Sequence, residues 1–349
     1  MRAWRVHDVG EPEDVFVLED VDEPSPARLV EMGMSMGGWV PLEEAPYKVT
    51  PEYAILEMRA AALALPDVTM ARGTYPVPVP HPYISGQEGV GIVRDASPGL
   101  THLVGQRVVG VCIQPWGSLA DVSVAIAPSL GPAPEALDDV DAAAFLIPAH
   151  TAYHVVIRRG QVRAGEVVLV TGAAGGLGSA CVQLAAAEGA RTIAAVGNTE
   201  KAQHCRDLGA TSTVDHSAID VVDGVRDLVG DRGLDVIVDP VQGTDSARLR
   251  TLLKPDGRHV LCGHAGGLHP IDPHFYVANV TLVGATLGGY PPDVMSDMFA
   301  EANADLVARL DAGTFRTTAT QVVSFDEVPQ VLTDMAARRT IGRPVVRIS

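Results

Sequence analysis

At 349 residues, 47% of them hydrophobic and 20% charged, the chain can bury the cores of two ordinary domains. A formal net charge of −17 argues against nucleic acid or an anionic membrane surface as its main partner. No apolar run approaches the roughly 18 residues of a membrane span, and the opening MRAWRVHDVGEPEDV has no apolar signal core, so a soluble cytoplasmic protein is expected.

Residues 1–150 read as mostly β with many turns. Strands are predicted at Ala54–Ala62, Gly89–Arg94 and Arg107–Ile113, and proline clusters at 76–82 and 128–134 predict loops. Between Pro26 and Pro51 lies ARLVEMGMSMGGWVPLEEAPYKVT, with neither helical nor strand period. It reads as a surface excursion packed on the domain, or as an adaptable apolar flap over a substrate pocket.

From residue 151 the pattern becomes strand–helix alternation. Strands are predicted at Val167–Thr171, Arg191–Val196, Thr213–Val214, Val236–Asp239, His259–Cys262 and Thr281–Thr286, and helices at 176–188, 199–208, 218–229 and 244–253. Gly189, Gly209, Gly230 and Gly257 punctuate them. Such repetition implies a parallel sheet covered on both faces, with ligands at the carboxyl ends of its strands. A helix is predicted at 293–312 and strands at 319–324 and 344–348, the last two returning to the first domain.

The stretch Glu166–Gly178, EVVLVTGAAGGLG, carries the strongest functional signal. A β-branched run breaks into glycines at 172, 175 and 178 and then becomes helix-like. Glycine permits backbone conformations closed to other residues. It also lets a pyrophosphate approach the first N–H groups of a helix, whose dipole favours negative charge. The strand before and the helix after raise this motif above a bare glycine pattern. The cysteines Cys112, Cys181, Cys205 and Cys262 show no C-x-x-C spacing and read as small buried residues.

With LPDVTMARGTYP at 65–76, GQEGVGIV at 86–93, HTAYHVV at 150–156, VTGAAGGLGSACVQLA at 170–185, LDVIVDPVQG at 234–243 and GRHVLCGHAGG at 257–267, the chain resembles the zinc-independent quinone oxidoreductases of the medium-chain dehydrogenase/reductase superfamily. The resemblance implies an α/β chain: a GroES-like, mostly β catalytic domain over 1–150, completed by 315–349, and a Rossmann domain over 151–314. It also implies a homodimer paired along the sheet edge at Thr281–Leu287.

The tip of the second Rossmann strand selects the dinucleotide. NAD binders place a carboxylate there for the ribose hydroxyls. Here AAVGNTEK puts Gly197 at the tip, with Asn198 and Thr199 as neutral donors and Lys201 as a cation. The expected cofactor is therefore NADP(H). By resemblance, Lys201 pairs with the 2′-phosphate, and His216 and Arg338 lie near it. Thr151 meets the nicotinamide amide, while Cys262, Gly263 and His264 form the loop over its ring. Gly172, Ala174, Gly175, Gly176, Leu177, Gly178 and Leu287 complete the expected contacts.

Zinc-dependent members hold a catalytic metal at positions that correspond to Ala64, Gln87 and Ile147. Alanine and isoleucine cannot bind zinc, so no metal is expected. A metal-free site suits hydride acceptors that need no strong Lewis acid, namely quinones and the C=C bond of α,β-unsaturated carbonyls. Candidate catalytic groups are His150, Tyr75, Asp67 and Thr69. Relatives carry asparagine and tyrosine where this chain has Ala64 and Thr69. Two alternatives follow: a 2-enoyl thioester reductase, for which Arg158, Arg159 and Arg163 would meet acyl-CoA phosphates, and an NADPH-binding protein without turnover.

Overall fold

A computed structural model describes residues 1–35, 38–45, 50–288 and 290–349. It divides into a first unit of Met1–Ile147, Pro292–Phe299 and Ala319–Ser349, and a second of Pro148–Pro291 and Ala300–Thr318.

The second unit is built on a parallel sheet of six strands. In spatial order they are Ser212–Asp215, Arg191–Val196, Val167–Val170, Leu234–Asp239, Leu253–Leu261 and Thr281–Gly284. This is the doubly wound Rossmann order, whose ligands bind where the winding reverses. The reversal lies between Val167–Val170 and Leu234–Asp239. Both strands are buried along their whole length. Covered on both faces, such strands are selected as continuous apolar runs rather than alternating ones. The helix Val221–Val229 shows the complementary pattern. It buries Val221, Val222, Val225 and Val229 on one stripe, and the Asp220 carboxylate caps its start by accepting from the N–H groups of Val222 and Asp223.

The first unit is mostly β. One sheet runs Ala319–Val323, Arg343–Arg347, Tyr53–Ala62, Glu88–Ala96, Arg107–Cys112 and Val122–Pro132, and the Tyr53–Ala62 strand also pairs with Val122–Pro132, closing four strands on themselves. Strand Arg343–Arg347 lies antiparallel to Ala60–Ala62, so late residues complete an early sheet. A smaller sheet joins Phe16–Asp20, Arg2–Val6 and Tyr83–Ile84.

Three sequence expectations are corrected. The predicted loop at 128–134 is the far half of an eleven-residue strand, Val122–Pro132. Its register shifts between Gly110 and Cys112 of the partner strand, and a bulge and a strand end are places where proline can sit. The predicted strand at 259–262 begins six residues earlier, at Leu253. It carries a turn at Asp256, whose φ is +66°, so the preceding helix stops at Arg250. The segment at 27–50 is not without structure. Pro26–Leu29 is a short helix, and Met32–Ser35 pairs with Gly38–Pro41 as a hairpin. Its Trp39 is 5% exposed, with the ring 6.1 Å from Trp116 and 6.3 Å from Tyr53, both edge-on. This tryptophan is a core side chain and cannot serve as the contact face of a flap. Met36 and Lys48 lie outside the described residues.

Candidate dinucleotide site

Strand Val167–Val170 delivers the chain to Thr171 and then to Gly172, whose φ of +54° belongs to the left-handed region. The Gly175 N–H donates back to Gly172 O at 3.0 Å, closing a tight turn, and helix Gly176–Ala187 begins there. Gly175 is the N-cap, and no side chain caps the helix. Gly172 and Gly175 face solvent, Gly176 and Leu177 are half-buried, and Ala174 is buried. Gly178 does a different job. A Cβ on it would lie 2.3 Å from Gly172 O and 2.7 Å from Ala173 Cα, so only glycine lets the helix pass this close to the turn. Uncapped N–H groups, a positive helix end and an exposed backbone make a fitting seat for a phosphate.

The second strand ends at Val196, and Gly197 follows. A Cβ there would meet His216 Cε1 at 3.2 Å, and the His216 N–H donates to Val196 O. Asn198 Oδ1 caps the next helix by accepting from the Lys201 N–H at 2.8 Å. The structure thus brings Gly197, Asn198, Lys201 and His216 to one strand tip, with no carboxylate on Gly197 or Asn198. The amide oxygen of Asn198 is engaged as a cap, which leaves its NH2 group as the donor for a ligand.

Cys262 is a buried thiol, pushed well above its usual range by burial. Its neighbours Gly263 and His264 are half-buried. A Cβ on Gly263 would lie 2.4 Å from Pro240 O, so this loop presses backbone against backbone. Leu287 is half-buried beyond strand Thr281–Gly284. Thr151 lies in helix Leu146–Tyr153, and its neighbour His150 is 1% exposed. Arg338 belongs to the first unit, at the end of helix Val328–Ala336, with a left-handed φ of +60°.

In the first unit, Asp67 is fully buried in helix Leu65–Ala71. Its carboxylate accepts from the Ala64 N–H at 2.8 Å, Ser85 Oγ at 3.0 Å and the Gly86 N–H at 3.0 Å. Burial raises its pKa against these bonds, and the net direction is upward. Thr69 Oγ1 donates to Pro66 O at 3.2 Å. Both groups thus serve their own helix and its junction with the Tyr83–Ile84 strand. Tyr75 is half-buried, its N–H held by Thr69 O at 3.0 Å. Among the described residues, no three His, Cys, Asp or Glu side chains are grouped to hold a metal ion. No described helix is long and apolar enough to cross a membrane. Two of the three arginines proposed for acyl-CoA have structural partners: Arg158 pairs with Glu301 at 3.0 Å, and Arg159 Nε donates to Gly284 O at 3.0 Å.

His154 is 2% exposed, with Tyr290 edge-on at 5.7 Å. Burial first, then Arg158 and Arg159, push it down from 6.5 to about 4. The unfolded chain therefore binds the proton that the folded one refuses, and stability is lost as pH falls from 6.5 towards 4. Urea titrations should find the protein about 2 kcal/mol less stable at pH 5 than at pH 7, with the difference much reduced in His154→Gln.

Sequence reasoning missed the buried cluster at the winding reversal. Asp239, 1% exposed, accepts from Thr171 Oγ1 at 2.6 Å, Ser246 Oγ at 2.9 Å, and the N–H groups of Val241 at 3.1 Å and Gln242 at 2.8 Å. His259 Nε2 stands 3.0 Å from its other side, and Arg250 Nε donates to His259 Nδ1 at 3.3 Å. A guanidinium can only donate, so Nδ1 accepts and the ring proton sits on Nε2, facing Asp239. Burial works to raise the Asp239 carboxyl, but the bonds from His259, Thr171 and Gln242 hold it down to about 2. The available signal was a carboxylate closing the apolar run Val236–Val238.

Two family models match the chain: the alcohol dehydrogenase GroES-like domain over residues 50–125 and the zinc-binding dehydrogenase over 176–306. A 2-haloacrylate reductase from Burkholderia sp is 29% identical over 282 residues, 77% of this chain and 84% of that protein. The quinone oxidoreductase of Rattus norvegicus is 28% identical over 290 residues, 82% of this chain and 80% of that protein. Among solved structures, the quinone oxidoreductase of Thermus thermophilus, described with its NADPH complex, superposes with a TM-score of 0.77 at 29% identity, covering 100% of both chains. The Pseudomonas syringae pv. Tomato quinone oxidoreductase gives 0.83 at 26% identity over 99% of each. With a GroES-like unit and a Rossmann unit matched by these two models, the chain belongs to the medium-chain dehydrogenase/reductase superfamily, and within it is similar to quinone oxidoreductases.

Proposed function

We propose that the protein is an NADPH-dependent, metal-free oxidoreductase that reduces quinones or the C=C bond of α,β-unsaturated carbonyl compounds. The observation that carries the reading is a strand tip without a carboxylate, holding Gly197, Asn198, Lys201 and His216 beside the uncapped helix at Gly175. A 2′-phosphate would be repelled by the carboxylate of an NAD site and is accommodated by glycine and a lysine. The pyrophosphate would take the N–H groups of Gly176, Leu177 and Gly178, and Thr151, Cys262–His264 and Leu287 would meet the nicotinamide half. NADPH supplies the hydride when bound.

Relatives named quinone oxidoreductase and 2-haloacrylate reductase support an electron-poor, conjugated acceptor. The residues Ala64, Gln87 and Ile147 at the positions of the zinc ligands support a site that works without the ion. Negative charge leaving the reduced carbon spreads onto an oxygen that hydrogen-bond donors can hold. We assign protonation to His150, Tyr75 or solvent, while Asp67 and Thr69 hold the Leu65–Ala71 helix and its junction with Ser85 and Gly86. The proposal includes a homodimer paired along the sheet edge at Thr281–Leu287.

The test is turnover with NADPH and NADH against quinones, enones, 2-haloacrylate and enoyl-CoA. Oxidation of NADPH by the first three and not by enoyl-CoA supports the proposal. Turnover with enoyl-CoA alone overturns it in favour of a thioester reductase, and tight NADPH binding without oxidation makes the protein a binder only. Lys201→Ala should weaken NADPH about tenfold or more while leaving NADH within about twofold, as loss of a charge-assisted phosphate contact requires. Equal losses for both cofactors would refute the role of Lys201.

A further inference from the structure

We infer that Asp239, His259 and Arg250 are positioning residues for the reduced dinucleotide: Asp239 fixes the Pro240–Gly243 and Cys262–Gly267 loops, and His259, backed by Arg250, fixes Asp239. The inference rests on the NADPH reading above and names the part of this chain that orders the nicotinamide half.

One carboxylate gathers three strand ends. Thr171 follows the first strand, Asp239 ends the fourth, and His259 lies in the fifth, on either side of the winding reversal. Asp239 also holds the N–H groups of Val241 and Gln242. Gln242 adopts a left-handed φ of +55°, a conformation that a non-glycine residue keeps only when its surroundings impose it. Its Nε2 donates to Gly263 O at 2.5 Å. The two loops are further laced by Ala265 N–H to Pro240 O at 3.2 Å, Gly266 N–H to Val241 O at 2.7 Å and Gly243 N–H to Gly267 O at 3.0 Å. On the other side, Val241 Cγ2 lies 2.9 Å from where a Cβ on Gly172 would stand, so the same loop abuts the glycine turn.

The chemistry of the cluster is unusual for a purely mechanical brace. Arg250 is 3% exposed, His259 fully buried and Asp239 1% exposed. Arg250 is balanced at its far side by Asp272. Taking these groups out of water is costly, and apolar residues of the same volume would commonly give equal or greater stability. What an apolar set could not do is hold two loop N–H groups and three side-chain donors on one carboxylate. The gain therefore lies in placement.

The experiment compares wild type, His259→Leu, His259→Gln and Thr171→Val. Each is titrated with NADPH, read by nicotinamide fluorescence, and with 2′,5′-ADP, which carries the phosphorylated adenosine half alone. His259→Leu should weaken NADPH about tenfold, the loss of one buried bond to a charged group, and leave 2′,5′-ADP within about twofold. His259→Gln can donate to Asp239 and accept from Arg250, so it should return NADPH to within about threefold of wild type. Thr171→Val removes one donor without changing shape and should show the same selective loss in smaller degree, about threefold, even if His259→Leu fails to fold. Variants that bind NADPH like wild type, that lose both ligands equally, or that glutamine does not rescue overturn the inference. Wild type that binds neither ligand overturns the cofactor reading itself, a distinct result.

Discussion

Arg343→Met is expected to lower the unfolding free energy by about 3–5 kcal/mol. Glu88 is fully buried, and Arg343 is its charged partner, itself 7% exposed. Burial drives the Glu88 carboxyl upward, Arg343 opposes that, and the Ile147 N–H, donating at 2.6 Å, opposes it further. Removing the guanidinium leaves a carboxylate with one backbone donor and no counter-charge in a site closed to water. The pair also joins strand Arg343–Arg347 to strand Glu88–Ala96 across the Tyr53–Ala62 strand between them. The double variant Arg343→Met/Glu88→Leu should recover much of the loss, since removing both charges also removes the uncompensated one. Urea unfolding of both variants measures this. A loss below about 1 kcal/mol in Arg343→Met would show the pair to be no better than a surface ion pair.

Gly178→Ala should cost about 1–3 kcal/mol by overpacking and weaken NADPH about tenfold or more, because the Cβ has nowhere to go. Its nearest neighbours, at 2.3 Å and 2.7 Å, are backbone atoms of Gly172 and Ala173, which cannot rotate away as a side chain could. The helix must slide off the turn, carrying with it the N–H groups proposed to hold the pyrophosphate. Gly175→Ala is the matched control. Its Cβ would meet Gly172 O at 3.4 Å, an ordinary contact, and its φ of −80° suits any residue. Thermal melts should show a marked fall for Gly178→Ala and little change for Gly175→Ala. Equal melting points would mean that the close approach of helix and turn is not required.

The Rossmann unit was legible because its strands carry the signal locally. Val167–Val170 and Val236–Val238, buried on both faces, are continuous apolar runs, and several helices are bounded by glycines such as Gly189 and Gly209 or by a capping carboxylate such as Asp220. The glycine turn was legible for the same reason, since close packing and positive φ leave one residue type to choose. The segment at 27–50 was not. Its strands are four residues long, and what fixes them is Trp39 packing on Tyr53 and Trp116, partners 14 and 77 positions away. Periodicity cannot report a contact of that kind. Asp239 and His259 escaped for a related reason. Twenty residues separate them, and only the side-by-side placement of the strands Leu234–Asp239 and Leu253–Leu261 turns them into neighbours. In the catalytic candidates the residue types were right for chemistry, but Asp67 and Thr69 spend their polar atoms on local structure.

Strand Arg343–Arg347 has a consequence for biosynthesis. It pairs with Ala60–Ala62 and supplies Arg343 to Glu88, so the first unit cannot finish its sheet until residue 347 has left the ribosome. The last residue of the second unit is Thr318, so its chain is complete earlier. Translation thus reverses the usual order in which the earlier domain folds first. In the interval the Ala60–Ala62 end of the nascent Tyr53–Ala62 strand keeps an unsatisfied edge, which is where a chaperone would be needed most.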